Sequence, residues 1–347
     1  MTTWAPDVLG DDYEQLTIPL GLDPDGEGQV RATLVRSRRA PATPRGAVLY
    51  VHGFTDYFFQ RHLAEHFVDR GYAFHALDLR KCGRSLDEGQ SPHFVSDLEL
   101  YDEELNRALA VVREETGAPV LVAAHSTGGL IVPLWLDRLE HAGGSAAAGV
   151  AGLILNSPWF DLQGPPLVRS VGTVALGVLG KVAPKRDLPG MGLDTYGSSI
   201  SAQARGDWSY DLSWKPLAGF PIKLGWIRAV RRGHARLHRG LDVGVPSLIL
   251  RSKVTRFSKQ YIPEVDAADA VLDVRQIARW AGCLGNRTTV VPVEGARHDV
   301  FLSTDEPLAR AFHELDAWLD DHEARAAATV GGDAATGGDH AEMATGA

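Results

Sequence analysis

Short apolar runs separated by helix-period stretches organise the first half of the chain. Ala47 to Val51, Tyr72 to Asp78, Val120 to Ala124 and Gly149 to Asn156 each suit a strand buried on both faces. Between them, Phe59, Leu63 and Phe67 recur four apart within 58–70, and Gly71 stops that helix. Tyr101, Leu105, Leu109 and Val112 share one face of a helix over 97–116. Ahead of them, Tyr13 to Pro19 and Val30 to Val35 flank a turn-rich piece and predict an antiparallel edge. The rhythm returns late, with strands at Val245 to Leu250 and Thr288 to Val293. A closing helix follows, carrying Leu308, Phe312, Leu315, Trp318 and Leu319, with Ser303 and Glu306 as a candidate capping box. The pattern predicts an α/β fold, a mostly parallel sheet with helices on both faces.

Residues 160–240 break this rhythm. They show no convincing strand and are rich in Gly, Pro, Trp and Leu. The expected organisation is core over 1–158, a helical cap insertion over 159–241, core again over 242–325, and a disordered tail over 326–347, where Ala, Gly and Thr dominate. Val171 to Leu179 is apolar and glycine-spaced, which suits packing inside the cap. Arg228, Arg231, Arg232, Arg236 and Arg239, interleaved with Trp226, Ile227, Val230 and Leu237, predict an amphipathic helix with a basic face. That face is either solvated or set against an anionic lipid surface.

Composition narrows the field a little. A net charge of −9 counts against general nucleic-acid binding. Two distant cysteines, Cys82 and Cys283, make neither a Cys-rich zinc site nor a disulfide framework, so a cytoplasmic location is expected. The start of the chain lacks the basic and apolar parts of a signal peptide, and no apolar run approaches the ~20 residues of a membrane span. A soluble or at most peripheral protein is expected; its oligomeric state is open.

The candidate chemistry centres on Ala124-His125-Ser126-Thr127-Gly128, between the strand at Val120 and a helix face of Leu130, Ile131, Leu134 and Trp135. A serine on a tight strand-to-helix turn is a nucleophile elbow, usually Gly-x-Ser-x-Gly; here alanine replaces the first glycine. A serine nucleophile needs a base, and the base an orienting acid, in the order Ser…Asp…His for this kind of sheet. His298 follows the last strand and is the natural base. Asp269 is the favoured acid, with Asp273 second and Asp266 third. The backbone N–H groups of Phe54 and Thr127 are the expected oxyanion donors. His62-Leu63-Ala64-Glu65-His66 matches a zinc pattern, yet it lies where the first crossover helix belongs, so no metal is expected.

Together, His52-Gly53-Phe54, Asp78-Leu79-Arg80…Gly83-Arg84-Ser85, the Ser126 elbow, Ala268-Asp269…Asp273 and Gly295-Ala296-Arg297-His298 resemble the α/β-hydrolase superfamily. More narrowly they resemble its monoacylglycerol lipase/lysophospholipase branch, which takes in serine aminopeptidase-like hydrolases. The resemblance runs from about residue 30 to 320. It implies a triad of Ser126, Asp269 and His298, since the branch takes its acid from the first Asp of Ala-Asp-x-x-x-Asp. It also implies ester hydrolysis on small substrates with an apolar acyl chain, without metal or organic cofactor. Two departures stand out: Ala124 in the elbow, and the long stretch from Lys253 to Ala267 before the acid. A peptidase or amidase would use the same machinery. Members of the fold that use an aspartate nucleophile do not fit Ser126. A non-catalytic ligand-binding member would usually lack a triad residue.

Overall fold

The computed structural model describes residues 3–163, 177–189 and 192–336. Its frame is a nine-stranded sheet ordered β1-β2-β3-β5-β4-β6-β7-β8-β9. β1 (Ala5–Asp7), β2 (Gly10–Leu22) and β3 (Gln29–Ser37) form the antiparallel edge, and β3 also runs antiparallel to β5 (Tyr72–Asp78). From β5 onward the pairing is parallel, through β4 (Gly46–Val51), β6 (Val120–His125), β7 (Val150–Asn156), β8 (Ser247–Ser252) and β9 (Thr288–Val293). The apolar runs are continuous because both faces are covered, and successive residues serve opposite sides. In β4, Ala47, Leu49 and Val51 join the core under α2 (Asp102–Thr116) and α3 (Gly128–Ala142). Val48 and Tyr50 join the core under α1 (Arg61–Asp69) and α8 (Asp305–Thr336). Each fully buried aliphatic or aromatic side chain contributes roughly 1.5–3 kcal/mol.

Between β7 and β8 the described residues add no strand to the sheet. They carry α4 (177–182), α5 (Asp194–Ile200) and α6 (Leu224–Leu237), and α7 (Val274–Trp280) follows β8. Of the apolar stretch Val171 to Leu179, residues 171–176 lie outside the described residues, and 177–179 open α4 with Val178 and Leu179 exposed. α6 is amphipathic, but its basic face is largely committed to carboxylates. Arg231 pairs with Asp161 at 2.8 Å, Arg232 with Asp97 at 2.7 Å and Arg236 with Asp137 at 2.7 Å. The pairs of Arg232 with Asp97 and Arg236 with Asp137 bolt the insertion to the core, and that of Arg231 with Asp161 lies within the insertion.

Three local expectations need correction. The helix expected over 97–116 begins as a 3-10 turn, Leu98–Tyr101, before α2. Ser303 does not cap α8; its hydroxyl accepts the Arg297 N–H at 3.0 Å and so braces the loop of His298. The tail expected to be disordered from Ala326 is helical as far as Thr336. Alanine has the highest helix propensity, so the run Ala326 to Ala328 prolongs α8 without needing a core to pack on. No helix among the described residues is long and apolar enough to cross a membrane.

Candidate active site

Parallel strands deliver their following loops to one rim, the carboxyl ends, where open α/β sheets build sites. β4 leads to Gly53 and Phe54, β6 to Ser126, β8 to the stretch holding Asp269, and β9 to His298. β4 and β6 are neighbours, so Gly53 lies against the elbow. A Cβ on Gly53 would sit 2.9 Å from that of Ser126.

The elbow is strained. Ser126 has φ 52°, a left-handed conformation that costs a non-glycine residue about 1–3 kcal/mol. Flanking hydrogen bonds impose it: the Ser126 N–H donates to Asn156 O at 3.0 Å, and Ser126 O accepts from Gly129 at 3.0 Å and Trp159 at 2.9 Å. The turn lifts the hydroxyl clear of the sheet at the head of α3. Ala124 is buried in the core, so the methyl in place of the usual glycine is accommodated. Position 128 has no such room. A Cβ there would lie 2.5 Å from His52 O and 2.8 Å from Val51 O, both backbone atoms. Gly128→Ala is therefore expected to lower the melting temperature by about 2–10 °C, through overpacking against the end of β4, measured by thermal unfolding.

Ser126 Oγ lies 2.9 Å from His298 Nε2, and His298 Nδ1 lies 2.9 Å from Asp269 Oδ2. All three side chains are buried. With Nδ1–H donated to the carboxylate, Nε2 is the lone-pair nitrogen and accepts the serine proton. The other oxygen of Asp269 accepts two backbone N–H bonds, from Val271 at 2.8 Å and Leu272 at 2.6 Å, which fix the carboxylate's direction. The long stretch from Lys253 returns on itself: Asp269 N donates to Val254 O and Arg256 N donates to Asp269 O, each at 2.9 Å. Its length therefore does not displace the acid. Asp273 is turned elsewhere, accepting Arg275 N–H at 3.1 Å as the N-cap of α7. Its carboxyl is held below the usual range by the hydrogen bond from the Arg275 side chain. Asp266 accepts from Tyr261 Oη at 2.6 Å and pairs with Arg297.

Phe54 and Thr127, whose N–H groups are the expected oxyanion donors, line the same cavity as Ser126, and among the described residues neither N–H has a protein acceptor. His52 explains the loop's course. Its Nε2 accepts the Leu79 N–H at 3.1 Å, so its Nδ1–H donates to Gly53 O at 2.7 Å, which holds that peptide. His125, whose ring centroid lies 4.8 Å from that of His298, is kept neutral by burial, which pushes its pKa down; it donates from Nδ1 to Asn156 O at 3.2 Å. Sequence reasoning missed Asn156 and Asp299. The Asn156 amide donates to Asp299 Oδ1 at 2.6 Å, its carbonyl accepts Val300 N–H at 3.1 Å, and Gln60 donates to Asp299 Oδ2 at 3.2 Å. This buried network sets the loop on the far side of His298. Its only signal was a polar residue closing an apolar strand.

The cavity over Ser126 measures about 270 Å³ and is walled mainly by apolar groups, among them Trp159, Leu193, Pro216, Leu217, Ile222 and Val271. Among the described residues that line it, Lys215 is the one lysine or arginine, and there is no carboxylate. The zinc-like pair on α1 is not among the described residues that line it. His62 Nε2–H donates to Phe301 O at 2.7 Å, and His66 Nε2 lies 2.8 Å from Asp316. Each ring thus has its own protein partner, and the two do not converge on one point.

The profile of a family described as serine aminopeptidase, S33, matches residues 42–305, well over half of the chain. The chain belongs to this family. No curated protein matches the family member's sequence. Its fold is shared with a soluble variant of monoglyceride lipase from Saccharomyces cerevisiae, solved with a substrate analogue, at 19% identity and TM-score 0.61 over 93% of this chain and 95% of that one. A monoacylglycerol lipase from Paleococcus ferrophilus matches at 20% identity and TM-score 0.58, over 81% of this chain and 96% of the other. A thermostable carboxyl esterase from Bacillus coagulans, in complex with glycerol, matches at 15% identity and TM-score 0.57, over 90% and 99%. The S33 member thus has the α/β-hydrolase fold that the resemblance of its motifs implied.

Proposed function

We propose that this protein is a serine hydrolase that cleaves carboxylic esters with an apolar acyl group, monoacylglycerol- or lysophospholipid-like, through an acyl-enzyme on Ser126. The observation that carries the reading is the Ser126–His298–Asp269 relay at the base of an apolar cavity. Ser126 Oγ attacks the ester carbonyl as His298 Nε2 takes its proton. The carbonyl oxygen gains its negative charge between the Phe54 and Thr127 N–H groups. Collapse expels the alcohol, which receives the proton from His298, and leaves an ester on Ser126. Water, deprotonated by His298, attacks that ester and releases the carboxylic acid with Ser126 restored. Asp269 orients the imidazole and stabilises it while charged. Residues 159–241 serve as a cap that supplies much of the apolar wall.

An aminopeptidase would use the same relay, and the family's name raises it. Such an enzyme must hold the substrate's ammonium group close to the serine, which calls for a carboxylate. The cavity offers a lysine instead, and Asp and Glu are also missing from the sequence at 164–176 and 190–191. Placing an ammonium there strips it of water without a partner. The test compares two p-nitrophenyl esters that differ only in one group, isobutyryl and alanyl. The isobutyryl ester is expected to be favoured in kcat/KM by at least about 10-fold, since each 1.4 kcal/mol of desolvation penalty is tenfold. A preference for the alanyl ester would sink the ester-lipase reading.

A further inference from the structure

The loop that carries the Phe54 donor is strained at its next residue. Thr55 has φ 52°, and a β-branched residue in the left-handed region is an outlier that surroundings must enforce. Those surroundings come from the insertion, not from the sheet. Phe220 N–H donates to Thr55 Oγ1 at 2.9 Å. Lys215 Nζ donates to Asp56 Oδ1 at 2.8 Å and to Thr55 O at 3.4 Å. Asp211 N–H donates to Tyr57 Oη at 2.8 Å. Lys215 and Asp56 are more than nine-tenths buried, and Asp56 Oδ2 has no partner among the described residues. Burial alone would push the Asp56 carboxyl up; the charge of Lys215 and its hydrogen bond outweigh it and hold the carboxyl below its usual range. The ion pair is thus a fixed charged link between the two parts of the chain, one residue away from the strained peptide.

We propose that Lys215 is a positioning residue for the oxyanion loop: by gripping Asp56 and Thr55 from the insertion, it sets the direction of the Phe54 N–H. This rests on the serine-hydrolase reading above. A buried lysine beside a nucleophile usually suggests contact with the substrate or a role as base. Its two hydrogen bonds point here to the loop instead, and His298 already fills the role of base. The consequence is that the insertion does more than wall the cavity; it adds to the hold that His52 has on the Gly53–Phe54 peptide, and without its grip the donor's aim loosens.

The test uses the full chain with Lys215→Met and with the double variant Lys215→Met/Asp56→Asn, each checked for folding by circular dichroism and thermal melting. The single variant leaves a lone buried carboxylate, which itself destabilises; the double variant removes that charge. Both are expected to lose about 10- to 10²-fold in kcat on p-nitrophenyl esters, with KM changed less than about 3-fold, because a misaimed donor is felt only when the oxyanion forms. Affinity for a trifluoromethyl ketone, whose adduct puts an oxyanion in the same place, should fall by a similar factor, while inhibition by the fatty-acid product should not. Wild-type kcat and ketone affinity in the folded double variant would overturn the proposal. So would a loss seen only in KM, or only for one acyl length, since that marks a substrate contact. A double variant that does not fold would assign the pair to the frame of the protein and overturn it too. Wild-type protein that neither turns over esters nor labels at Ser126 would instead show the hydrolase reading itself to be at fault.

Discussion

Ser126→Ala is expected to remove ester turnover, with a fall on the order of 10⁶ in kcat, and to abolish labelling by a fluorophosphonate. The change is clean because it leaves the elbow intact. Alanine at φ 52° is strained to a degree similar to serine, and the backbone bonds to Asn156, Gly129 and Trp159 do not involve the hydroxyl. What disappears is the one oxygen among the described residues within hydrogen-bond reach of His298 Nε2. Ser157 provides an internal comparison. It also sits at a strand end with positive φ, 45°, and is fully buried. Its hydroxyl, however, has no partner among the described residues, and so no base. On the serine-hydrolase reading, geometry of the turn alone does not make a nucleophile; the turn and the imidazole together do. Turnover surviving in Ser126→Ala, measured with p-nitrophenyl butyrate beside the parent, would refute the assignment.

That comparison bears on what could be read from the residues alone. Periodicity located the central strands and the helices that pack on them, because those strands are buried on both faces and the helices on one; it did not mark β1, α5 or α7. No local signal in the residues marks the reversal of β4 and β5 in the sheet order. Ser126 and His298 stand out because small residues and loop glycines mark tight turns at strand ends. The acid does not, because three carboxylates lie within eight residues and spacing says nothing about where a side chain turns. Asp266 and Asp273 are absorbed by Tyr261 and Arg275, contacts that depend on the path of an irregular segment. Lys215 was illegible for a similar reason: Trp214-Lys215-Pro216 lies in no periodic element, and its partner Asp56 is 159 positions away. The arginines of α6 gave a misleading picture in one respect. Their spacing showed a basic face, but not the carboxylates elsewhere in the chain that pair with Arg231, Arg232 and Arg236.

The sharpest test of the acid pairs two isosteric changes four residues apart, Asp269→Asn and Asp273→Asn. In the first, the new amide faces three donors: the N–H groups of Val271 and Leu272, and Nδ1–H of His298. An amide has one oxygen. If it keeps the two backbone donors, its NH2 group turns to His298 Nδ1, which must then be the lone-pair nitrogen. The proton moves to Nε2, and the imidazole can no longer take one from Ser126. If instead the oxygen turns to His298, the NH2 group meets two N–H groups in a buried site, at a cost of about 1–3 kcal/mol for each unsatisfied donor. Either way kcat is expected to drop by about 10⁴. In Asp273→Asn the side chain remains a good N-cap for α7, since Asn and Asp cap about equally well. It gives up an ion pair with Arg275, whose side chain is 85% exposed and screened by solvent, so stability should change little. Its kcat should stay within about 3-fold of the parent, because the carboxyl takes no part in orienting the imidazole. Steady-state rates and thermal melts of the two variants check both halves. A large loss of kcat in Asp273→Asn with Asp269→Asn spared would mean that the segment from Lys253 to Val274 rearranges in the working enzyme, and the triad would have to be redrawn around the second carboxylate.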